Sequence, residues 1–172
     1  MISGKEIKKQ IEAGNIVIKP FIESRLNPNS YNITLNNELV VYDEKVLDMK
    51  KQNKTKKIII PEEGLILEPN KLYLGRTNEY TETKNFVPCI DGRSSIGRLG
   101  LFIHVTAGFG DVGFKGTWTL EIQCVQPIRI YPNVEIGQLY YEQIQGEQTY
   151  YKGKYLNQID ATPSRMNIDF NK

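Results

Sequence analysis

Within six residues, Arg93, Ser94, Ser95 and Arg98 place two guanidinium groups and two hydroxyls beside Gly92 and Gly97. Guanidinium forks and hydroxyls grip anions through charge-assisted hydrogen bonds, and glycine leaves backbone N–H groups free to point the same way. Each such contact contributes about 1.5–3 kcal/mol, so the cluster suits a di- or triphosphate. Surface salt bridging is the plainer reading of the same residues, and the Ser-Ser pair between the arginines argues against it. The chain has no GxxxxGKS or GxxxxGKT phosphate loop. A second candidate group is a carboxylate. In TWTLEIQCV, Trp118, Leu120, Ile122 and Cys124 share one strand face while Thr119, Glu121 and Gln123 share the other. On that alternation alone, a solvent-facing side chain is the simpler account of Glu121. Asp111, flanked by Gly110 and Gly113, has the same two readings, because Asp also favours turns through its own backbone hydrogen bonds. Half of the 14 glycines fall between Gly92 and Gly116, a density that fits tight barrel turns or a ligand pressed against the main chain.

The available ligands restrict metal chemistry. A zinc site needs three or four N or S ligands at short spacings, whereas His104 is the only histidine and Cys89 and Cys124 stand far apart. No zinc cluster is expected, and a metal that takes part is a hard cation held by carboxylate and substrate phosphate. His104, in a strand-like run, reads as a packed side chain, and the two cysteines read as buried thiols.

The elements that carry these residues belong to a chain of 172 residues, the length of one domain with mass enough for a hydrophobic core. Lys plus Arg (22) nearly balance Asp plus Glu (20), so neither nucleic acid nor an anionic membrane is the expected partner. No apolar run of about 18 residues offers a signal peptide or a membrane span, and a cytoplasmic location is expected. Ser3 with Glu6 forms a capping box, Ile7 and Ile11 lie one turn apart, and Gly14 is a stop signal, which predicts a helix from about Ser3 to Ala13. Beyond it, short β-rich runs bounded by Pro, Gly and Asn predict strands. These are Asn15 to Ile18, Tyr31 to Leu35, Glu38 to Tyr42, Lys57 to Ile60, Leu72 to Thr77, Phe86 to Ile90, Leu101 to Val105, Thr117 to Val125, Ile128 to Tyr131 and Ile136 to Ile144. The fold is therefore expected to be mainly β, a sandwich or barrel without βαβ units. Lys50, Lys51, Lys54, Lys56 and Lys57 read as a solvated loop between two strands. The residues from Tyr150 onward show no strand pattern and are expected to form a tail that docks.

GRSSIGRLGLFIHVTAGFGDVGFKGTWTLEI, with SYNITLNNELVVYD before it, IGQLYY after it and YKGKYLNQ near the end, resembles the dCTP deaminases. The likeness covers most of the chain, and Gly92 to Arg98 and Gly108 to Asp111 also resemble segments of the trimeric dUTP diphosphatases. The resemblance implies a distorted β-barrel or jelly roll with a short N-terminal helix, one domain over residues 1–172 in which 150–172 closes over the site. It further implies a homotrimer with sites for dCTP or dUTP between subunits. Glu121 would be the catalytic acid/base, Ser94 and Arg98 would support it, and Thr106 and Ala107 would lie near the base and the attacking water. Arg93, Ser94, Ser95, Ile96, Gly97, Arg98, Asp111, Thr119, Leu120, Glu121, Gln138, Lys154 and Gln158 match nucleotide-contacting positions. Tyr151 is a looser match, and Tyr150 could take its place.

Hydrolytic deamination of cytosine needs water activated for attack at C4 and protons delivered to the ring and to the leaving ammonia. One placed carboxylate can do this as base and then as acid. Zinc deaminases activate the water on a metal held by His and Cys; here the resemblance leaves that work to Glu121 and the hydrogen bonds of its pocket. Gly108-Phe109 stands where members that release dUTP carry a basic pair, and so resembles the dUMP-forming branch. There Asp111 would position water at the α-phosphate, with Mg²⁺ spread over the triphosphate. A deaminase that stops at dUTP, a diphosphatase acting on dUTP alone and a non-catalytic nucleotide-binding protein are the alternatives. The presence of Glu121 argues against the last.

Overall fold

Ser3 sits in extended backbone and its hydroxyl accepts the Glu6 N–H at 3.3 Å, so helix α1, Gly4–Glu12, begins where the capping box predicts. The structure, a computed structural model, describes residues 1–104 and 106–171. Strands follow in short runs: β1 Ile16–Lys19, β2 Tyr31–Thr34, β3 Glu38–Tyr42, β4 Thr55–Ile59, β5 Leu65–Leu67, β6 Tyr73–Arg76, β7 Tyr80–Thr83 and β8 Phe86–Gly92. A helical turn, α2 Ser94–Gly97, precedes β9 Leu101–Phe102, β10 Lys115–Gly116, β11 Thr119–Cys124, β12 Ile128–Ile130 and β13 Glu135–Gln143, and α3 Asn167–Phe170 comes last. A 3-10 turn, Glu23–Arg25, lies between β1 and β2.

All strand pairings among the described residues are antiparallel. They form sheets of order β4-β3-β6-β11-β9, β1-β7-β10 and β2-β13-β8, with β12 paired to β5. Tyr31, Ile33, Leu39, Leu67, Leu120, Ile122, Ile136, Leu139 and Tyr141 are almost wholly buried and meet in one cluster. Burying each of these side chains stabilises the fold by about 1.5–3 kcal/mol. The mainly β expectation holds, and the expected run Glu38 to Tyr42 coincides with β3.

Three strands have no counterpart among the expected runs. In β7 the buried residues are Thr81 and Thr83, which hydrophobic patterning overlooks because hydrogen bonds make their burial tolerable. Thr81 Oγ1 accepts the Trp118 indole N–H at 3.0 Å, and Thr83 Oγ1 donates to the Phe86 carbonyl at 2.8 Å. β5 and β10 are too short to show a period. In the other direction, the expected strand Leu101 to Val105 shrinks to the two residues of β9, and its end at Val105 lies outside the described residues. His104 is therefore not on a strand. The lysine run is solvated as expected, but Lys56 and Lys57 belong to β4 rather than to the loop. Cys89 and Cys124 are free and buried, and burial pushes both thiols up from their ordinary titration range.

Backbone hydrogen bonds lay the chain after Tyr150 along the segment from Val112 to Thr117 that includes β10, and side-chain bonds carry it on to the sheet that contains β11. Tyr151 N–H donates to Val112 O at 2.8 Å, Asn157 N–H to Lys115 O at 2.8 Å, and Thr117 N–H to Gln158 O at 2.9 Å. Farther along, Thr162 N–H reaches Thr119 Oγ1 at 3.1 Å and Ser164 N–H reaches the Tyr42 hydroxyl at 2.9 Å. The last residue of the expected tail, Lys172, lies outside the described residues. Gly116 makes the close approach possible: its φ is 144°, and a Cβ there would run into the Gln158 carbonyl. Gly116→Ala is thus expected to cost about 1–3 kcal/mol and to loosen the tail. Limited proteolysis should show faster cutting after Tyr150 than in the unsubstituted chain.

Candidate active site

β11 lies between β6 and β9, its Glu121 opposite Leu74 of β6 and its Glu121 N–H donated to the Ile103 carbonyl at 2.7 Å. The inward face of the strand is buried, and the face with Thr119, Glu121 and Gln123 borders a cleft of about 500 Å³. One wall comes from the segment after His104. Its main chain is pinned to β8 by Ile90 N–H to Gly108 O and Gly110 N–H to Pro88 O, each 2.7 Å, which brings Ala107, Phe109 and Asp111 to the cleft. Gly110 packs so closely on the Trp118 ring that a Cβ would sit 2.7 Å from it. The opposite wall is the tail, through Tyr151, Tyr155, Gln158, Thr162 and Ser164. Aromatic rings form part of the lining, with Phe114 5.1 Å from Trp118 and 6.1 Å from Tyr151, centre to centre.

Glu121 is half-buried, so the strand alternation gave its side correctly but not what it faces, which is the cleft rather than open solvent. Among the described residues, neither its carboxylate nor that of Asp111 has a hydrogen bond or ion pair. The amide of Gln158 is half used: Nε2 donates to the Thr117 carbonyl at 2.9 Å, while Oε1 is buried without a partner. A buried acceptor in that state is costly unless a donor meets it, and a ligand amine or hydroxyl in the cleft would supply one.

Of the residues singled out in the sequence, the cleft collects Ala107, Asp111, Thr119, Glu121, Tyr151 and Gln158. It does not collect the arginine-serine group. Arg93 caps α2, Ser94, Ser95, Ile96 and Gly97 form it, and Arg98 follows; none of them lines the cleft of this chain. Ser94, Ser95 and Arg98 are exposed, and the Arg98 guanidinium has no partner among the described residues. Gln138, on β13 opposite Asp91 of β8, accepts from the Ser30 hydroxyl at 2.8 Å. Within one chain, then, Ser94 and Arg98 do not reach the cleft that holds Glu121. Thr106 is exposed outside the cleft, and Leu120 turns its side chain into the core, which leaves only its main chain for a ligand. Lys154 also stays off the cleft. It pairs with Asp169, whose carboxylate raises the Lys154 titration above its ordinary value, and it lies 5.9 Å from the Tyr155 ring centre.

Tyr42, Leu72, Leu74, Phe114, Tyr155, Thr162 and Ser164 line the cleft without having been singled out. Leu74 could be found only once β6 is known to pair with β11, and Tyr42 only once the tail is known to cross β3. His104 packs against Gly108, with Nε2 3.7 Å from Asp91 Oδ1 and Nδ1 buried without a partner among the described residues. Among the described residues no three His, Cys, Asp or Glu side chains gather as a metal site. No described helix is long and apolar enough to cross a membrane.

Comparison with known proteins identifies the family. The family model described as dCTP deaminase-like matches residues 1–144. A Clostridium acetobutylicum protein named "dCTP deaminase, dUMP-forming" is 65% identical over 171 residues, covering 99% of this chain and 98% of that one. A Cytophaga hutchinsonii protein of the same name is 61% identical over 173 residues, covering 100% and 99%. Among solved structures, 2'-deoxycytidine 5'-triphosphate deaminase from Agrobacterium tumefaciens superposes with a TM-score of 0.65 at 15% identity, covering 83% of this chain and 47% of that one, and so shares the fold. With a family model spanning every strand and full-length relatives above half identity, the chain belongs to the dCTP deaminase family.

Proposed function

We propose that this chain converts dCTP to dUMP in two hydrolytic steps at the Glu121 cleft, in line with the names of its relatives. The observation that carries the reading is a pair of unpartnered carboxylates, Glu121 and Asp111, on the walls of one cleft beside aromatic rings. In the first step Glu121 takes a proton from water as the water oxygen bonds to C4. It passes that proton to ring N3, then takes the proton of the new C4 hydroxyl and gives it to the amino group, so that the C4–N bond breaks, ammonia leaves and the C4 carbonyl forms. Phe114 and Tyr151 offer faces for the pyrimidine, and Gln158 Oε1 offers an acceptor for a nucleotide N–H or O–H. In the second step Asp111 orients a water and takes its proton as the water oxygen bonds to the α-phosphorus; the bond from that phosphorus to the α–β bridging oxygen breaks, and diphosphate leaves.

Magnesium belongs to this reading as part of the substrate. The Asp111 carboxylate is a hard oxygen donor suited to Mg²⁺, but a lone carboxylate does not make a protein-held site, so the triphosphate carries the ion. When bound it offsets the charge that otherwise repels attack on the phosphate. Zinc has no part in the chemistry proposed, because Glu121 supplies the activation. The separation of the arginine-serine group from the cleft supports a homotrimer in which α2 and Gln138 of one subunit complete the cleft of another. Free deoxynucleoside triphosphates as substrates fit a cytoplasmic place of action, with neither nucleic acid nor membrane as partner.

A time course with dCTP and Mg²⁺, its products separated by chromatography, tests the reading. Ammonia, dUMP and diphosphate are expected in equal amounts with little free dUTP. Ammonia with matching dUTP would make this a deaminase alone, and cleavage of dUTP with dCTP untouched would make it a diphosphatase alone. Asp111→Asn is expected to slow diphosphate release more than ammonia release, so that dUTP accumulates from dCTP.

A further inference from the structure

Outside the cleft, the described structure contains one chain of charges that runs from the interior to the surface. Glu79 is fully buried and accepts from Arg25 Nη1 at 2.7 Å, from Thr34 N–H at 2.8 Å and from the Thr34 hydroxyl at 2.8 Å. Arg25 Nε lies 3.9 Å from Glu135 Oε1, and Glu135 Oε2 pairs with Arg93 Nη1 at 3.0 Å. The signs alternate outward, from Glu79 through Arg25 and Glu135 to Arg93. We propose that Glu135 is a positioning residue for nucleotide binding, holding one edge of the Arg93 guanidinium so that the rest of its donors face an anion.

Three observations carry it. The first is the backbone. Along β2 the pairing of β13 slips between Glu135, opposite Thr34, and Gly137, opposite Ile33, while Gly137 still faces Gly92 of β8 next to Arg93. The extra residue of this bulge is Ile136, which lets Glu135 stay opposite Thr34 while Gly137 faces Gly92. The second is that Glu135 is itself held. Asn32 Nδ2 donates to Oε2 at 2.8 Å, Asn32 accepts from Asn27 at 2.7 Å, and Arg25 lies on the other oxygen. Its carboxylate is therefore fixed before Arg93 arrives. The third is the state of Arg93. Only Nη1 is engaged, by the Glu135 carboxylate and by the Glu135 carbonyl at 3.3 Å, so Nε and Nη2 have no partner among the described residues. A planar guanidinium anchored on one edge presents its other edge in a fixed direction. The side-chain entropy that anion binding would otherwise cost is then already lost in the free protein. The alternative is an ordinary partly exposed ion pair, which holds nothing in place.

The proposal rests on reading Arg93 as a phosphate contact, and the test separates the two. KM and kcat for Mg-dCTP are measured in the full chain for E135Q, R93Q and the double variant, with melting temperatures alongside. E135Q keeps the size of the side chain and an acceptor for Asn32 but loses the charge that holds Arg93. It is expected to raise KM about tenfold, as for the loss of roughly one charge-assisted contact, and to lower kcat by a smaller factor. In the R93Q background the same change is expected to alter KM by less than about twofold, since the group it positions is gone. If E135Q costs the same factor in both backgrounds, or lowers kcat as much as it raises KM, the positioning role is overturned and the pair is structural. If R93Q leaves KM unchanged, the phosphate reading of Arg93 falls first and the proposal falls with it. Where E135Q does not yield folded protein, E135D, which keeps the charge at shorter reach, takes its place in the same cycle.

Discussion

Glu121→Gln is expected to lower deamination by roughly 10²–10⁴ while nucleotide still binds. The glutamine has the same length and can accept and donate hydrogen bonds, but it cannot take the proton that water must lose as its oxygen bonds to C4. Because the Glu121 carboxylate has no partner among the described residues, the substitution breaks none of the side-chain bonds described, and the melting temperature should stay close to that of the unsubstituted protein. The measurement is ammonia release under saturating dCTP, together with nucleotide binding by calorimetry. Metal analysis of the purified protein belongs in the same experiment and should find no stoichiometric zinc. Normal turnover by the variant, or zinc at one per chain with activity lost to a chelator and restored by zinc alone, would overturn the carboxylate mechanism.

Removal of residues Tyr150 to Lys172 is expected to cost on the order of 10²-fold or more in kcat/KM for dCTP, because water exclusion and positioning by a closing segment are lost together. The segment supplies Tyr151, Tyr155, Gln158, Thr162 and Ser164 to the cleft wall. Every strand, β1 to β13, lies before it, so the truncated protein should still fold. Among the described residues after Tyr150, Ala161 is buried, against Val40 and Leu74, and the partly buried Tyr151 packs on the main core, so a lower melting temperature is expected with the strands still in place. Circular dichroism and light scattering should therefore report a folded trimer. Turnover at the full rate, or a monomer by light scattering in either form, would contradict the proposed closing role and the proposed assembly respectively. Gln158→Ala is a milder version that removes the amide while leaving the backbone bonds of the tail in place.

The framework was legible where side chains obey one simple rule. Ser3 and Glu6 announced α1, and the alternation in TLEIQC announced β11 and the side on which Glu121 lies. β7 was illegible because Thr81 and Thr83 are buried by hydrogen bonding rather than by apolar character. The roof of the cleft was illegible for another reason. The tail is held mainly by backbone groups, through Val112, Lys115 and Thr117, and backbone bonding leaves no period in the side chains. Arg93 to Arg98 carry the residue types of an anion-binding cluster, yet their distance from Glu121 within one chain depends on how β8 and β11 fall into different sheets, which residue spacing does not encode.

The way the tail is attached separates two scales of motion. Glu121 shares a strand with Leu120 and Ile122, 1% and 0% exposed, so its amide should exchange with deuterium only when the whole barrel opens. The tail amides of Tyr151 and Asn157 are held by single bonds to segments they overlie, and they should exchange through brief local lifting. On the proposed function, admission of substrate draws on the low-free-energy end of the molecule's fluctuations, and the Glu121 carboxylate is kept at the high end. Sequence changes that raise the barrel's melting temperature need not slow the opening of the cleft.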